Sequence, residues 1–266
     1  MSIFETHFHY NQEWDASEYV NESLNAGVKY LLAVASDLDS TIISQKLAES
    51  TENIFFTSGL HPHEAVEFNN NLMAFRDAAL NSKCIAIGEI GLDFFYEYSD
   101  KNKQIEVFEQ FLNLALELDL PAVIHCRDKD GSDLVYEKSY DLLKSFTSQG
   151  GHFVIHCYTG SIEYAEKFLA IGGFFGVTGI VTFPKAQNVR DIVKILPIDR
   201  ILLETDTPYL APKPFRGKTN HSKYLPYIAE AVAVEKSLTV ESVCEQTYKN
   251  AISLFTKCES LIVAEL

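Results

Sequence analysis

The chain has 266 residues, of which 47% are hydrophobic and 22% are charged, and this composition excludes a disordered, fibrous or disulfide-stapled protein. Lys and Arg number 22 against 37 Asp and Glu, which gives a formal net charge of -15 and disfavours a broad binding surface for duplex nucleic acid. Since an α/β barrel commonly uses about 250 residues as one unit, we expect a single domain over residues 1–266.

Eight short apolar segments, rich in β-branched and aromatic residues, are predicted to be strands. They are residues 3–9, 28–35, 54–60, 85–90, 122–126, 153–157, 174–177 and 201–205. The segments between them show helical spacing, most clearly from Ile105 to Leu116, with expected N-caps at Asp15, Asp39 and Ser161. Strands that alternate with helices form a parallel sheet, so the predicted fold is α/β, a TIM-type (β/α)₈ barrel.

The seventh strand is expected to be irregular. Three glycines in residues 172–176 weaken a strand unless the backbone must be approached closely. After the eighth strand we expect a long loop at residues 209–218, then two helices, at 224–234 and 240–255, that cover the barrel.

The start of the sequence and its cysteines bear on location. No basic segment precedes an apolar run at the start, and no apolar stretch approaches the roughly 18 residues of a membrane span, so the expected location is cytoplasmic. Five cysteines at long spacings predict reduced thiols, not a disulfide framework.

Four histidines lie at or near the ends of predicted strands, and the carboxyl ends of the strands carry the active site of a TIM barrel. His7 and His9 are two residues apart on the first strand, so both side chains point to the same side, towards the barrel interior. His125 and His156 lie near the ends of the fifth and sixth strands. We therefore predict that these imidazoles converge.

Carboxylates complete the predicted site. Glu89 lies near the end of an apolar strand, where an unpaired buried charge would be costly, so it needs a cation. Glu204 and Asp206 share one side-chain parity at the eighth strand, so both can point inward. Imidazole and carboxylate ligands suit Zn²⁺ and also admit Mn²⁺ or Mg²⁺, so the ligand set does not select one metal.

The most economical arrangement uses two divalent metal ions. One is held by His7, His9 and Asp206, the other by His125 and His156, and Glu89 bridges them. Paired cations lower the pKa of a bound water and neutralise charge on the attacking and leaving oxygens, which is the chemistry of hydrolysis.

Six sequence blocks occur in order along nearly the whole chain. They are ETHFH at 5–9, GLHPH at 59–63, IGEIGLD at 87–93, IHCRD at 124–128, HCYTG at 156–160 and LETDTPYL at 203–210. Together they resemble the TatD family of metal-dependent deoxyribonucleases, within the amidohydrolase-like barrels. The resemblance implies a TIM-type barrel, the same six metal ligands, and nuclease action on DNA. It also implies 3′ to 5′ trimming of single strands or, as in some relatives, hydrolysis of D-aminoacyl esters on tRNA.

The chain departs from the family pattern at two places. Glu5 stands where the family usually has Asp, and this longer side chain is expected to reposition a contact behind the ligands. After Asn220 the family pattern continues with Glu-Pro, whereas this chain has His221 and Ser222. Because this loop is expected to lie over the site, the change bears on which ester is admitted.

The expected mechanism is phosphodiester hydrolysis by a hydroxide held between the two cations. Asp206 is the expected proton acceptor, and Glu204 is either a base behind the ligands or a structural charge. His61 and His63 are candidates to donate to a phosphate oxygen or to protonate the leaving group, or else they only position their loop.

Three further side chains are candidate substrate contacts. Arg127 could grip a phosphate, or pair with Asp128 or another acid. Tyr158, together with the aromatic run at residues 94–96, could stack on bases or could belong to the packing. Arg216 makes the loop after the eighth strand locally basic, or it is a solvated surface residue.

Three functions remain open from the sequence. The leading interpretation is a 3′ to 5′ exonuclease on single-stranded DNA or strand ends, with no obligatory protein partner. The alternative is an esterase or deacylase of D-aminoacyl-tRNA, or a small-molecule amidohydrolase, that uses the same two-metal site. The third is a catalytically idle barrel that binds a partner through its helical surface.

Overall fold

The computed structural model describes residues 2–263, and within them eight parallel strands form one sheet whose neighbours follow chain order. The strands are β1 (Ile3–Phe8), β2 (Val28–Ala33), β3 (Ile54–Ser58), β4 (Cys84–Asp93), β5 (Ala122–Arg127), β6 (Phe153–Ile155), β7 (Phe174–Val177) and β8 (Ile201–Leu203). The sheet closes between β1 and the segment that follows β8. There Phe8 forms a parallel bridge with Thr207, and the His9 amide donates to the Thr207 carbonyl at 2.8 Å. The predicted TIM barrel is confirmed.

Each strand is followed by a helix, and two more helices end the described chain. The helices are α1 (Ala16–Asn25), α2 (Leu38–Ser50), α3 (Leu72–Ala79), α4 (Lys101–Leu118), α5 (Leu134–Ser148), α6 (Ile162–Ala170), α7 (Gln187–Ile195), α8 (Leu225–Lys236), α9 (Val240–Leu254) and α10 (Thr256–Val263). Asp15 and Ser161 cap α1 and α6 as predicted. The predicted cap at Asp39 is wrong, because the Asp37 side chain accepts the Ser40 amide at 2.7 Å and Asp39 lies in the first turn. Among residues 2–263, no helix has the length and apolar character to cross a membrane.

A register shift in β1 aims its histidines at the barrel mouth. Phe4 belongs to an apolar cluster that takes residues from all eight strands, whereas Phe8 stacks on Tyr19 of α1 outside the sheet. Strict alternation would put Phe4 and Phe8 on the same side. The pairing of β1 with β2 slips between Glu5 and Phe8, and this irregularity lets His7 and His9 point inward beyond Phe4.

The expected irregularity of the seventh strand is wrong, since β7 pairs with β6 and β8 without a register shift. The glycines in and just before β7 instead leave space for neighbouring side chains, because a Cβ on Gly176 would clash with the Glu204 carboxylate and one on Gly173 would lie 2.8 Å from the Phe153 ring. Gly176 therefore leaves the space in which the Glu204 carboxylate sits beneath the site.

The end of the barrel opposite the histidines is closed by the C-terminal helices. Phe255, between α9 and α10, is fully buried and its ring lies 6.1 Å from that of Phe4. Cys258 and Ile262 of α10 join the same apolar cluster. This packing anchors β1 from below, so its upper half can carry polar side chains.

We expect Phe255→Ala to lower the free energy of unfolding by about 3–5 kcal/mol, because it leaves a cavity under β1. Urea unfolding followed by circular dichroism measures this change. Val234→Ala, at a position 74% exposed on α8, is the control and should stay within about 0.5 kcal/mol of the parent. Equal effects of the two substitutions would contradict the role of Phe255 in closing this end of the barrel.

Candidate metal centre

Glu89 lies at the centre of the site, and its two carboxylate oxygens face different histidines. Oε2 lies 3.5 Å from His7 Nε2 and 3.8 Å from His9 Nε2. Oε1 lies 2.6 Å from His125 Nδ1 and 3.6 Å from His156 Nε2. One carboxylate thus stands between two sets of imidazoles that come from opposite parts of the barrel.

Asp206 joins the β1 side of the site from the loop after β8. Its Oδ1 is 3.5 Å from His9 Nε2 and 4.0 Å from His7 Nε2. The Asp206 amide donates to the His7 carbonyl at 3.0 Å, so the closure of the barrel itself fixes where this carboxylate lies.

Three groups of side chains among the described residues bring their ligand atoms within 4.8 Å of one another. These groups are His7, His9 and Glu89; His7, His156 and Asp206; and His61, Glu89 and His125. All six predicted ligands are therefore brought together, and His61 lies within the same reach. His125 and His156 fall in different groups, although both face the same oxygen of Glu89.

The outer nitrogens of three of these histidines are held by acceptors. His9 Nδ1 donates to the Val34 carbonyl at 3.0 Å, His156 Nδ1 to Glu204 at 3.0 Å, and His125 Nε2 to Asp93 at 3.2 Å. When each ring is neutral, its outer nitrogen carries the proton. The inner nitrogen, which faces Glu89, then has a free lone pair.

These lone pairs fit a cation. His7 Nε2 and His9 Nε2 lie only 3.3 Å apart beside two carboxylates, and a divalent ion can satisfy all of these groups at once. His7 Nδ1 is a buried nitrogen with no hydrogen-bond partner, so its ring is held by the stack on His156, with centroids 3.7 Å apart.

The electrostatics agree with this arrangement. Burial raises the pKa of Glu89, but His156, His125 and His61 outweigh it and hold that pKa well below its usual range. Burial lowers the pKa of His156, but the charges of Glu204 and Glu89 outweigh the effect of burial and raise this pKa to about 10. Without a metal, protons on the imidazoles therefore balance the carboxylates, and a cation would replace those protons.

Glu204 lies behind His156 and away from the barrel mouth. Its Oε1 accepts from His156 Nδ1 and, at 2.6 Å, from the Cys157 amide. Of the two predicted roles, this contact favours a charge that orients a ligand.

Asp93 had no predicted role, although it ends one of the six blocks. Its Oδ2 is 3.2 Å from His125 Nε2 and 2.9 Å from His63 Nε2, and its Oδ1 accepts the backbone amides of Phe95 and Tyr96. One buried carboxylate thus orients a ligand, a candidate catalytic histidine and the loop after β4. A carboxylate at the end of an apolar strand, the signal that identified Glu89, would also have identified Asp93.

The structure separates the predicted substrate contacts. The exposed Arg127 lies over the rings of Phe95 and Tyr96, 4.6 and 4.7 Å from the guanidinium carbon to their centroids. Asp128 does not pair with it, since its carboxylate accepts from Ser132 and from the Val135 amide instead.

Two other predicted substrate contacts, Tyr158 and Arg216, pack against neighbouring residues of the protein. Tyr158 is only 4% exposed, and its hydroxyl donates to the Ser161 carbonyl at 2.6 Å. It is a packing residue with no ring face for a base, which corrects the stacking expectation. Phe94 is likewise buried. Arg216 is exposed and lies over the Phe183 ring at 3.6 Å, in the loop after β8.

The two departures from the family pattern meet behind the site, so the expectation that residues 220–222 lie over it is wrong. The Glu5 carboxylate accepts from the Thr205 amide at 2.8 Å and from the Thr205 hydroxyl at 2.7 Å. It also hydrogen-bonds the Ser222 side chain, which in turn contacts the Tyr19 hydroxyl at 2.7 Å. A proline at position 222 could offer no hydroxyl, so the longer Glu5 and the hydroxyl of Ser222 complement each other. His221 pairs with Glu22 at 3.0 Å, on the outer side.

The fold and the site together define a class. A TIM barrel with buried histidines and carboxylates at its carboxyl end is the architecture of a metal-dependent hydrolase. Residues 4–256 match the family described as TatD related DNase, and the chain belongs to this family.

Relatives cover nearly the whole chain. It is 34% identical to the uncharacterized metal-dependent hydrolase YabD of Bacillus subtilis, over 95% of this chain and 98% of that protein. It is also 34% identical to the 3′-5′ ssDNA/RNA exonuclease TatD of Rahnella sp., over 91% and 92%. The crystal structure of YJJV, a TatD homolog from Escherichia coli K12, superposes with a TM-score of 0.87 at 26% identity, over 96% and 98% of the two chains.

We expect Glu204→Gln and Asp93→Asn each to weaken metal binding by about 10–100-fold, because each replaces the carboxylate that accepts from the outer nitrogen of a histidine with a neutral, weaker acceptor. Competition with a chromophoric chelator measures the affinity. The control is Asp119→Asn, an exposed residue at the end of α4 whose left-handed conformation suits Asn. Unchanged affinity in both site variants would contradict this role of the two carboxylates.

Glu5 generates a prediction about pH. Burial raises its pKa from 4.5 to about 8, so between these values the folded protein binds the proton and the unfolded chain does not. The free energy of unfolding should therefore fall as pH rises through this interval, by a few kcal/mol in order of magnitude. In chelator-stripped protein, Glu5→Gln should flatten this dependence, and Glu163→Gln, on the surface, should leave it unaltered. Parallel pH profiles for Glu5→Gln and the parent would refute the prediction.

Proposed function

We propose that this protein binds two divalent cations and removes nucleotides from the 3′ ends of single-stranded DNA. The proposal of two cations rests on the position of Glu89, whose two carboxylate oxygens face separate sets of histidines. The carboxylate of a bridging ligand has this arrangement. The imidazole and carboxylate ligands admit Mg²⁺, Mn²⁺ or Zn²⁺.

His7, His9 and Asp206 would hold one cation, and His125 and His156 the other, with Glu89 shared. When bound, such cations lower the pKa of water and neutralise charge on phosphate oxygens. Asp206 is the proposed proton acceptor, because it is the ligand carboxylate at the mouth of the barrel and is partly exposed.

His61 is the proposed donor to the substrate. Its Nδ1 accepts the His63 amide at 3.2 Å, so in the neutral ring the proton resides on Nε2, which faces the site. Burial holds its pKa well below the ordinary value, so the neutral form prevails. An Nε2 that carries a proton cannot bind a cation, which favours hydrogen bonding to a phosphate oxygen over ligation.

His63 is placed differently. Its Nε2 is engaged by Asp93, so it can pass a proton only through that contact or after a rotation of its ring. We propose that it positions the loop and Asp93 and leaves donation to His61.

Two observations support a nucleic acid substrate. Relatives that are 33–34% identical are named as 3′-5′ ssDNA/RNA exonucleases. Beside the metal centre, Arg127 and exposed aromatic rings offer contacts for a phosphate and for bases. The net charge of -15 argues against long duplexes, since phosphate contacts dominate their affinity. Single strands and strand ends are therefore the proposed substrates.

The test uses a 5′-labelled single-stranded DNA oligonucleotide and chelator-stripped protein with Mg²⁺, Mn²⁺ or Zn²⁺ added back. We expect a ladder that shortens from the 3′ end only with added metal. Glu89→Ala should abolish it by removing the shared ligand, and Asp206→Asn should lower the rate at saturating metal by at least about 100-fold.

Folded, metal-loaded protein that leaves the oligonucleotide intact would contradict the nuclease proposal. The same preparation, assayed on D-aminoacyl-tRNA, then tests the deacylase alternative, since a carbonyl ester can be hydrolysed at the same centre. A near-normal rate in Asp206→Asn would refute the role of Asp206 alone.

A further inference from the structure

Exposed aromatic side chains lie together beside the metal centre, in the loop between β4 and α4. Phe95, Tyr96 and Tyr98 are 40%, 43% and 65% exposed, although large aromatic side chains are usually more deeply buried. Tyr98 is the most exposed of the three and has no role in the metal centre.

The two tyrosines form a stack. Their ring centroids are 5.4 Å apart and their planes differ by 2°. Tyr98 is the outer member of the stack, since it is 65% exposed against 43% for Tyr96, over which the Arg127 guanidinium lies. The other ring in contact with Tyr98 among the described residues is that of His63, which is perpendicular to it. Since 65% of Tyr98 is exposed, much of its ring is open to a planar group.

The stack is held rigidly in front of the site. Asp93 accepts the amide of Tyr96 at the start of this segment, and at its end the Ser99 hydroxyl donates to the His63 carbonyl at 2.8 Å. Ser99 also accepts the Val66 amide at 2.9 Å. A platform fixed in advance loses little conformational entropy when a ligand stacks on it.

Only the His63 ring separates this platform from a metal ligand. The His63 centroid is 4.8 Å from that of Tyr98 and 6.4 Å from that of His125. A base on Tyr98 would therefore belong to a nucleotide close to the cleaved linkage. Arg127, beside the stack, supplies a cation for the phosphate of the same strand.

We infer that the outer face of Tyr98 is a nucleobase subsite, which stacks one base of a single strand near its 3′ end. This inference rests on the proposed function and adds the residue that recognises the base. Stacking accepts every base, because each has a π face, so the subsite selects unpaired strands without selecting sequence.

The experiment combines changes in the protein with changes in the substrate. Single-stranded oligonucleotides carry one abasic nucleotide at the first, second or third position from the 3′ end. Tyr98→Ala removes the ring, Tyr98→Phe keeps it, and Tyr227→Ala, an exposed tyrosine on α8, is the matched control. The readout is kcat/KM for release of the terminal nucleotide.

We expect Tyr98→Ala to lower kcat/KM about tenfold on intact DNA, chiefly through KM, and Tyr98→Phe to stay within about twofold of the parent. At one of the three positions, the abasic nucleotide should lower kcat/KM of the parent enzyme by the same tenfold. At that position it should lower kcat/KM of Tyr98→Ala no further, because the ring that would stack on the base is already absent. Losses that multiply at all three positions, or a Tyr98→Ala enzyme equal to the parent, would overturn the inference.

A binding measurement separates this inference from the nuclease proposal. 2-Aminopurine, placed at each of the same three positions, loses fluorescence when it stacks, and Glu89→Ala protein is used so that the strand stays uncut. We expect quenching at one position, absent in the double variant Glu89→Ala/Tyr98→Ala. If the parent enzyme cuts no DNA, the proposed function fails, while this quenching still decides whether Tyr98 binds a base. Equal quenching in both variants refutes the subsite.

Discussion

The structure depends on one constraint, which is that the ionised carboxylate of Glu89 is buried among imidazoles at the end of a barrel strand. An isolated charge at that depth would be expensive, and four histidines face it, His7, His9, His125 and His156, at 2.6 to 3.8 Å. The strands below are apolar and close-packed, which holds these side chains at fixed separations. A divalent cation could replace the protons on these imidazoles, which agrees with the membership of the chain in a family of metal-dependent hydrolases.

The surroundings of Glu89 are organised from behind by a second set of contacts. Glu204 and Asp93 each hold the outer nitrogen of one histidine, and Gly176 leaves the space for Glu204. Glu5 ties β1 to Thr205, one residue before Asp206. Asp93 also holds the backbone of the aromatic loop, so the position of a metal ligand and that of the proposed base platform depend on one carboxylate.

Much of this could be predicted because it depends on local patterns. The eight strand segments alternate with helical segments, and His7 and His9 share a side because neighbouring side chains alternate along a strand. The sequence favours Asp39 as the cap in place of Asp37 because the two carboxylates are two residues apart at the start of one helix, and only the backbone geometry distinguishes them. Tyr158 was predicted beside the site because it follows His156, but the chain turns after β6 and directs its ring into the wall.

The sequence by itself predicted the parallel barrel and six candidate ligand positions at the carboxyl ends of the strands, because each follows from periodicity or from a charge in an apolar run. Tertiary structure alone decided which oxygen of Glu89 faces which histidine and which nitrogen of each ring is free. It also decided that Glu5 meets Ser222 and that Tyr98 ends an open stack beside His63. These contacts join residues from distant parts of the chain, and their distances depend on barrel closure and on the register slip in β1, which no local pattern encodes.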